Sequence, residues 1–129
     1  MYDVIIIGSG PAGYAAGIYA GRARLSTLLI TGSTPGGWAA LTSEIENYPG
    51  FPEGVQGAEL MERMQKQAER FGVKMAMDEV TEVDFAARPF TVGTYSDDYK
   101  AKTVIIATGV SPRKLGVPGE DRLAGKGVS

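Results

Sequence analysis

The sequence predicts an α/β fold in which a parallel sheet carries a small antiparallel β-meander. Three observations support this class. An apolar run at residues 4–7 leads through a glycine-rich turn into an alanine-rich stretch, which indicates a strand followed by a helix. A second apolar run at residues 26–31 follows at the spacing of one β-α-β unit. Residues 80–85 and 89–95 alternate apolar and polar side chains, which is typical of strands with one solvated face.

The turn after the first strand reads Gly8-Ser9-Gly10-Pro11-Ala12-Gly13. Its Gly-x-Gly-x-x-Gly spacing between a strand and a helix is the dinucleotide-binding fingerprint of Rossmann-like folds. Gly8 permits the tight turn, Gly10 lets a pyrophosphate approach the backbone, and Gly13 lets the helix pack close to the sheet. Pro11 at the first helical position gives up no needed donor, and the positive helix end points at the anion. We therefore expect this turn to hold the pyrophosphate of a nucleotide.

The next elements follow from turn residues and periodicity. Residues 32–37 contain proline and several glycines and are predicted to form a loop, while residues 38–43 are ambiguous. Residues 44–54, dense in proline and glycine, predict an ordered but irregular excursion. Residues 57–71 repeat apolar side chains at three- and four-residue spacing, so they predict an amphipathic helix that Gly72 ends. We interpret its methionines as core residues and not as cofactor ligands.

The second half of the chain completes the sheet. Residues 73–77 predict a third parallel strand, and the two alternating segments form the meander, with a turn at residues 96–98. Residues 99–106 predict a strand that ends at Ala107-Thr108-Gly109, where α/β sheets hold their ligands. Residues 111–129 carry prolines, glycines and scattered cations, which indicates a linker.

Composition narrows the class of protein. The 129 residues have the length of one domain, and 43% hydrophobic content is typical of a folded chain. A net charge of −2 offers no basic surface, so nucleic acid is not an expected partner. The apolar runs are short and no positively charged leader follows Met1, so we expect neither a membrane span nor a signal peptide, and a cytoplasmic location.

The chain contains no cysteine and no histidine. This absence excludes disulfides, thiolate nucleophiles, imidazole bases and the usual zinc sites within these residues. We therefore predict no catalytic side chain and no metal site, and expect the chemistry to come from a bound cofactor.

The end of the second strand discriminates between dinucleotides. NAD sites carry Asp or Glu there for the ribose, and NADP sites have a nearby Arg for the extra phosphate. This chain has Thr31, followed by Gly32, Ser33 and Thr34. The absence of both charged groups favours FAD.

Several segments together resemble low-molecular-weight thioredoxin reductases, and the resemblance runs from Met1 to Ser129. The segments are Gly8-Ser-Gly-Pro-Ala-Gly-Tyr14, Pro35-Gly-Gly37, Glu44-Ile-Glu-Asn-Tyr-Pro-Gly-Phe51 and Ile105-Ile-Ala-Thr-Gly109. The resemblance implies an FAD domain with Ser9, Pro11 and Ala12 near the pyrophosphate. It implies that Asn47 hydrogen-bonds the flavin and that the backbone at Val80 meets the adenine. The other residues that it assigns to the cofactor are Thr31, Gly32, Gly36, Gly37, Trp38, Ala107, Thr108 and Gly109.

One position departs from the family, which commonly has Gly-Gly-Gln-Leu where this chain has Gly36-Gly37-Trp38-Ala39. A glutamine amide can hydrogen-bond the flavin ring, whereas tryptophan donates from one N–H and otherwise packs. Two interpretations stay open: Trp38 contacts the isoalloxazine, or it is a surface or interface aromatic.

The resemblance also implies what would follow these residues. In the family, Gly-Lys-Gly-Val-Ser precedes a redox Cys-x-x-Cys in an inserted NADPH domain, after which a C-terminal segment completes the FAD domain. We accordingly expect residues 1–114 to be the N-terminal portion of an FAD-binding domain and residues 115–129 to be a linker toward an NADPH domain. The fold is expected to be incomplete without the C-terminal segment.

The function implied is that of a thioredoxin-disulfide reductase, which passes electrons from NADPH through FAD to the Cys-x-x-Cys and on to a thioredoxin-like partner. These 129 residues alone are expected to be inactive because they carry no thiol. One alternative is the similar ferredoxin-NADP reductase that lacks the cysteine pair, and another is a non-catalytic FAD-binding module. Because family members are commonly homodimers, a homodimer is one expected assembly.

Overall fold

The computed structural model describes residues 1–128. Ser129, the last residue of the predicted linker and of the Gly-Lys-Gly-Val-Ser ending, lies outside the described residues. The strands are β1 (Tyr2–Ile7), β2 (Thr27–Ile30), β3 (Glu44–Ile45), β4 (Val55–Gln56), β5 (Lys74–Ala76), β6 (Val80–Asp84), β7 (Phe90–Thr94) and β8 (Asp98–Ile106). The helices are α1 (Pro11–Arg22), α2 (Gly37–Leu41), α3 (Gly57–Arg70) and α4 (Glu120–Leu123).

The main sheet has six strands in the order β5-β2-β1-β8-β7-β6. Strand β1 pairs in parallel with β2 and β8, and β2 pairs in parallel with β5. Strands β6, β7 and β8 pair antiparallel as the predicted meander. The long strand β8 belongs to both parts, because its first residues pair with β7 and its last residues pair with β1. The predicted fold class is therefore confirmed, and the meander continues the parallel sheet.

Strand β1 is buried on both faces, as is typical of a central parallel strand. Val4 and Ile6 pack toward α1 and α3, in the same cluster as Leu29. Ile5 and Ile7 pack on the opposite face, in a second cluster with Leu28, Ile30, Val92 and Ala101. An uninterrupted apolar run thus serves two cores, which explains why the first strand shows no alternation in the sequence.

Helix α3 covers one face of the sheet, as its periodicity predicts. Its buried residues include Leu60, Met61, Met64 and Ala68 on a single face. The interpretation of the methionines as core residues is confirmed, since Met61 and Met64 belong to the same apolar cluster as β1. Met61 and Met64 therefore contribute to the packing between α3 and the sheet.

Helix α1 packs closely because small residues line its buried face. Gly13, Gly17 and Gly21 recur every four residues, so they lie on one side of the helix, and all three are buried. A Cβ built at Gly17 would lie 3.6 Å from the Cβ of Ala68, which is an ordinary contact. A Cβ at Gly21 would lie 2.8 Å from the Cβ of Phe71 and 2.9 Å from its carbonyl oxygen. The contact at Gly21 is therefore tighter than the contact at Gly17.

Three segments are more regular than the sequence indicates. The ambiguous residues 38–43 contribute most of the short helix α2. The predicted irregular excursion begins with β3, which pairs with β4 as a small antiparallel ladder. The predicted linker contains α4, which Lys114 and Leu115 contact through hydrogen bonds to Asp121 and Glu120. The short β3–β4 ladder and the helices α2 and α4 depend on contacts with residues that are distant in sequence or irregularly spaced. The sequence therefore shows no periodicity that predicts them. The domain boundary at residue 114 stays a prediction.

Of the helices within residues 1–128, none is both long enough and apolar enough to cross a bilayer.

Two glycines of α1 offer a matched test of this packing. We expect Gly21→Ala to lower the free energy of unfolding by about 1–2 kcal/mol, because the added methyl overlaps Phe71 and outweighs the gain in helix propensity. Gly17→Ala should leave stability unchanged or raise it by up to about 1 kcal/mol, because its methyl fits. Urea unfolding of both variants measures the difference, and equal effects would contradict the packing described for α1.

Candidate functional site

The candidate site lies where the carboxyl ends of β2, β1 and β8 meet. The amide of Gly8 donates to the Ile30 carbonyl at 2.9 Å, and the amide of Ala107 donates to the Ile7 carbonyl at 2.8 Å. Gly8 has a positive φ of 114°, and a Cβ there would overlap the Ala107 carbonyl. The turn after β1 is therefore wedged between its neighbours, and only glycine fits at its first position.

The N-terminus of α1 opens into this meeting point. Gly10 is the N-cap, Pro11 stands in the first turn, and no side chain caps the helix. The first turn contains no acidic residue. Ala12 is exposed, and a Cβ at Gly13 would overlap the Gly8 carbonyl, so the helix begins in close contact with the turn. Free amides and the positive end of the dipole make this helix end suitable for an anion.

At these strand ends, three glycines leave open space above the backbone. A Cβ added at Gly10, Gly32 or Gly109 would meet no protein atom within 4 Å. They follow β1, β2 and β8, respectively, so they line one edge of the sheet. Gly8 and Gly13 serve the packing of the protein itself, whereas these three glycines leave room for a molecule to approach the main chain.

Ser9 joins the loops that follow β1 and β2. It is only 3% exposed, and its hydroxyl donates to the Thr31 carbonyl at 2.7 Å. The same oxygen accepts a hydrogen bond from the Gly36 amide at 3.1 Å. A Cβ at Gly37 would lie 3.6 Å from the Gly10 Cα, so the start of α2 rests on the turn. This buried hydroxyl therefore holds the N-terminus of α2 over the glycine loop.

Tyr14 lies beneath the same turn. Its amide donates to the Gly10 carbonyl at 3.0 Å, and its side chain is 1% exposed. Burial raises the pKa of the Tyr14 hydroxyl, while a hydrogen bond with Ser9 opposes this effect. The phenol is therefore neutral at ordinary pH and supports the turn without adding charge.

Trp38 crosses from α2 to the loop after β8. Its indole Nε1 donates to the Val110 carbonyl at 2.7 Å, and the side chain is 56% exposed. Val110 directly follows the predicted residues Ala107, Thr108 and Gly109. The hydrogen bond therefore links the two loops that flank the turn after β1.

A cleft of about 320 Å³ adjoins the end of β2. Its walls are Thr31, Gly32, Ser33, Pro35, Met77, Asp78 and Glu79. The carboxylates of Asp78 and Glu79 are not among the predicted site residues, although they follow β5, and the carboxyl end of a third parallel strand must reach the same edge of the sheet. Acidic groups thus reach the cleft from the end of β5 and not from the end of β2, where an NAD site would carry them.

Asp78 also fixes the turn between β7 and β8. The nearby Thr94 side chain and a hydrogen bond from the Glu79 amide, with a further contribution from Ser96, lower the pKa of Asp78 from 3.8 to about 2. The Ser96 amide lies 3.1 Å from its carboxylate. The carboxylate therefore remains negatively charged beside the cleft, where it disfavours a phosphate group.

Two predicted residues lie away from the strand ends. Val80 begins β6 and packs against the cluster that contains Ile5 and Ile7, directly after the cleft residue Glu79. Asn47 is exposed in the loop after β3, and among residues 1–128 the hydrogen bonds that connect the strand-end loops do not include it. The fold brings the remaining predicted residues together around the carboxyl ends of β1, β2 and β8.

A second groove of about 430 Å³ runs between α1, α3 and the loop after β3. Tyr48, Phe51 and Arg63 are among its walls, and Arg63 lies 5.8 Å from the centre of the Phe51 ring. None of the predicted site residues lines this groove. The candidate site is therefore the smaller cleft together with the glycine-lined strand ends.

This arrangement of a central parallel strand, a glycine turn and an uncapped helix is that of a dinucleotide-binding α/β protein. Residues 2–129 match the family model described as pyridine nucleotide-disulphide oxidoreductase. The chain belongs to the pyridine nucleotide-disulphide oxidoreductase family.

Individual relatives carry more than one name. A thioredoxin reductase of Rickettsia bellii is 53% identical over 98% of this chain and 41% of its own length. A glucosaminate ammonia-lyase of Pseudomonas fluorescens is 52% identical over 98% of this chain and 39% of its own length. A crystal structure of Lactococcus lactis thioredoxin reductase superposes with a TM-score of 0.86 and 43% identity, covering 100% of this chain and 42% of that one. The chain thus spans about 40% of the length of these relatives.

The Ser9 hydroxyl is expected to stabilise the site measurably. Ser9→Ala should lower the free energy of unfolding by about 1–3 kcal/mol, because it leaves the buried Gly36 amide without its acceptor. Urea unfolding measures the change. Ser33→Ala, at an exposed serine nearby, is the control and should change stability by less than about 0.5 kcal/mol. A Ser9 variant as stable as this control would contradict the bridging role.

The Asp78 carboxylate is expected to make stability depend on acid pH. Its folded pKa lies below its ordinary value, so its stabilisation is present above about pH 4 and is lost as the pH falls toward about 2. Asp78→Asn should lower stability at neutral pH and flatten the decline over that acid range, as measured by urea unfolding at several pH values. An unchanged acid profile in the variant would exclude Asp78 as its source.

Proposed function

We propose that this chain is the FAD-binding portion of a thioredoxin-disulfide reductase. Membership of its family implies a flavin in general, and the relatives named thioredoxin reductase support the particular activity. The observation that carries the cofactor is the set of open glycines after β1, β2 and β8, arranged around an uncapped helix end. This combination suits a long ligand with a central diphosphate.

The residues fit the separate parts of FAD. The amides at the start of α1 and the open backbone at Gly10 would hold the pyrophosphate without a cation. The cleft beside Thr31 and Gly32 would take the adenosine, and its two carboxylates disfavour the additional phosphate of NADP. The loop at 107–109, with Trp38 beside it, lies on the other side of the turn and would face the flavin half. We retain Asn47 and Val80 as proposed contacts, on the basis of the resemblance alone.

The flavin, when bound, supplies the hydride and electron transfer chemistry. This chain would bind and orient the flavin, and it offers no cysteine or histidine to the reaction. In the proposed parent protein, electrons come from NADPH and leave through a cysteine pair to a thioredoxin-like protein.

An incompletely paired strand supports a role within a larger protein. Pairing between β7 and β8 ends at Ala101, whereas β8 continues along β1 to Ile106. Ile105 and Ile106 are 39% and 64% exposed. Free backbone groups and exposed isoleucines at the edge of a sheet are suited to receive a further strand, such as the C-terminal segment that we expect.

The alternatives share the same crevice. A ferredoxin-NADP reductase or a non-catalytic FAD-binding module would need the same glycine turn, and the ammonia-lyase relative aligns over the same residues. Reduction of thioredoxin by NADPH, assayed on the intact parent protein, discriminates among these activities. We expect that activity in the parent protein and none in these 129 residues alone.

The open space at Gly10 provides a direct test of cofactor binding. We expect the wild-type chain to bind FAD and Gly10→Ala to bind it about tenfold or more weakly, because the methyl enters the space proposed for the pyrophosphate. Gly10 has an ordinary φ of −75° and no protein atom near the new methyl, so stability should fall by only about 0.5–1 kcal/mol, which is what alanine costs relative to glycine at an N-cap. Equilibrium dialysis with FAD and thermal unfolding measure the two effects.

The matched control is Gln56→Ala, because Gln56 is the N-cap of α3 and likewise makes no side-chain cap hydrogen bond. It should leave FAD affinity unchanged. If the wild type takes up no FAD, or if Gly10→Ala binds as tightly as the control, the proposed cofactor site is wrong.

A further inference from the structure

Trp38 is the residue at which the chain differs from the family pattern, and its position suggests a specific role. The indole N–H is occupied by the Val110 carbonyl at 2.7 Å, across 72 residues of sequence. Tryptophan has a single donor and no acceptor. An indole committed to this carbonyl has no hydrogen bond left to offer a flavin ring.

The two segments that Trp38 connects flank the turn after β1. On one side, α2 begins beside that turn, since a Cβ added at Gly37 would lie 3.6 Å from the Gly10 Cα, and Ser9 holds Gly36. On the other side, Val110 follows Gly109, which leaves open space above its backbone. The hydrogen bond therefore fixes the separation between the loops on either side of the pyrophosphate turn.

We propose that Trp38 is a positioning residue that ties α2 to the loop after β8, and that it prepares this loop for the flavin without hydrogen bonding to the cofactor. The proposal rests on the proposed function for the identity of the ligand. Segments already held at their bound separation lose less conformational entropy when a ligand binds. The tie therefore raises the affinity for FAD by ordering the free protein.

Trp38→Phe tests the proposal because it keeps an aromatic ring and removes the N–H. In the FAD-free chain, we expect the Ala107 amide, which donates to the Ile7 carbonyl, to exchange with solvent about 3- to 10-fold faster, since the loop that follows it loses one net hydrogen bond. The FAD dissociation constant should rise by about the same factor. The unfolding temperature should fall by only a few degrees, as expected for one lost hydrogen bond, because the side chain is more than half exposed and belongs to neither core cluster.

Leu41→Ala is the matched control, because Leu41 is also in α2 and 65% exposed but has no hydrogen-bonding side chain. It should alter neither exchange of the Ala107 amide nor FAD affinity. The Trp38→Phe and control variants are compared with the wild type by hydrogen exchange, equilibrium dialysis and thermal unfolding.

Two results would overturn the proposal. Unchanged exchange of the Ala107 amide in Trp38→Phe would mean that the hydrogen bond does not hold the loop. Faster exchange or a lower unfolding temperature with unchanged FAD affinity would mean that Trp38 has only a structural role. Failure of the wild type to bind FAD would instead refute the proposed cofactor, and the exchange measurement on the free chain would still test the tie itself.

Discussion

The structure depends on how closely three adjacent parallel strands bring their carboxyl ends together. Side chains are excluded at Gly8 and Gly13, where a Cβ would overlap the backbone of Ala107 and of Gly8 itself. With these contacts, β1 turns directly into α1, and the helix points its free amides at the edge of the sheet. The same close packing leaves the backbone at Gly10, Gly32 and Gly109 uncovered. Packing and ligand access are therefore two consequences of one arrangement.

The electrostatics of the site follow from backbone groups more than from charged side chains. The positive end of α1 attracts an anion without lysine or arginine, and no acidic residue in its first turn opposes this. Asp78 and Glu79 place negative charge at the neighbouring cleft, where they favour a neutral adenosine over an additional phosphate. A diphosphate at the helix end and a sugar at the cleft match this separation of charge.

The strand-end site does not by itself define the reaction that a protein of this family catalyses. Relatives named thioredoxin reductase and glucosaminate ammonia-lyase align with almost the whole chain, while the chain spans about 40% of their length. In the function that we propose, the shared part holds the nucleotide beside a doubly buried strand, and the cofactor and residues elsewhere supply the chemistry. Strand β8 takes part in both the site and the edge of the sheet. Its carboxyl end completes the site, and its exposed isoleucines lie along an edge that β7 leaves unpaired.

The amino-acid sequence alone determined the local features. Glycine spacing and the apolar run define the first β-α-β unit. Apolar residues at three- and four-residue spacing define α3, and alternation defines the meander. Each of these patterns depends on neighbours in the chain. Only the tertiary structure determined the contacts between segments that are distant in sequence. The β3–β4 ladder, the carboxylates that β5 brings beside Thr31, the Ser9 bridge to Gly36 and the Trp38 bond to Val110 join segments that no periodicity connects. These contacts arise only when the strands align, so their residues carry no local pattern that identifies them.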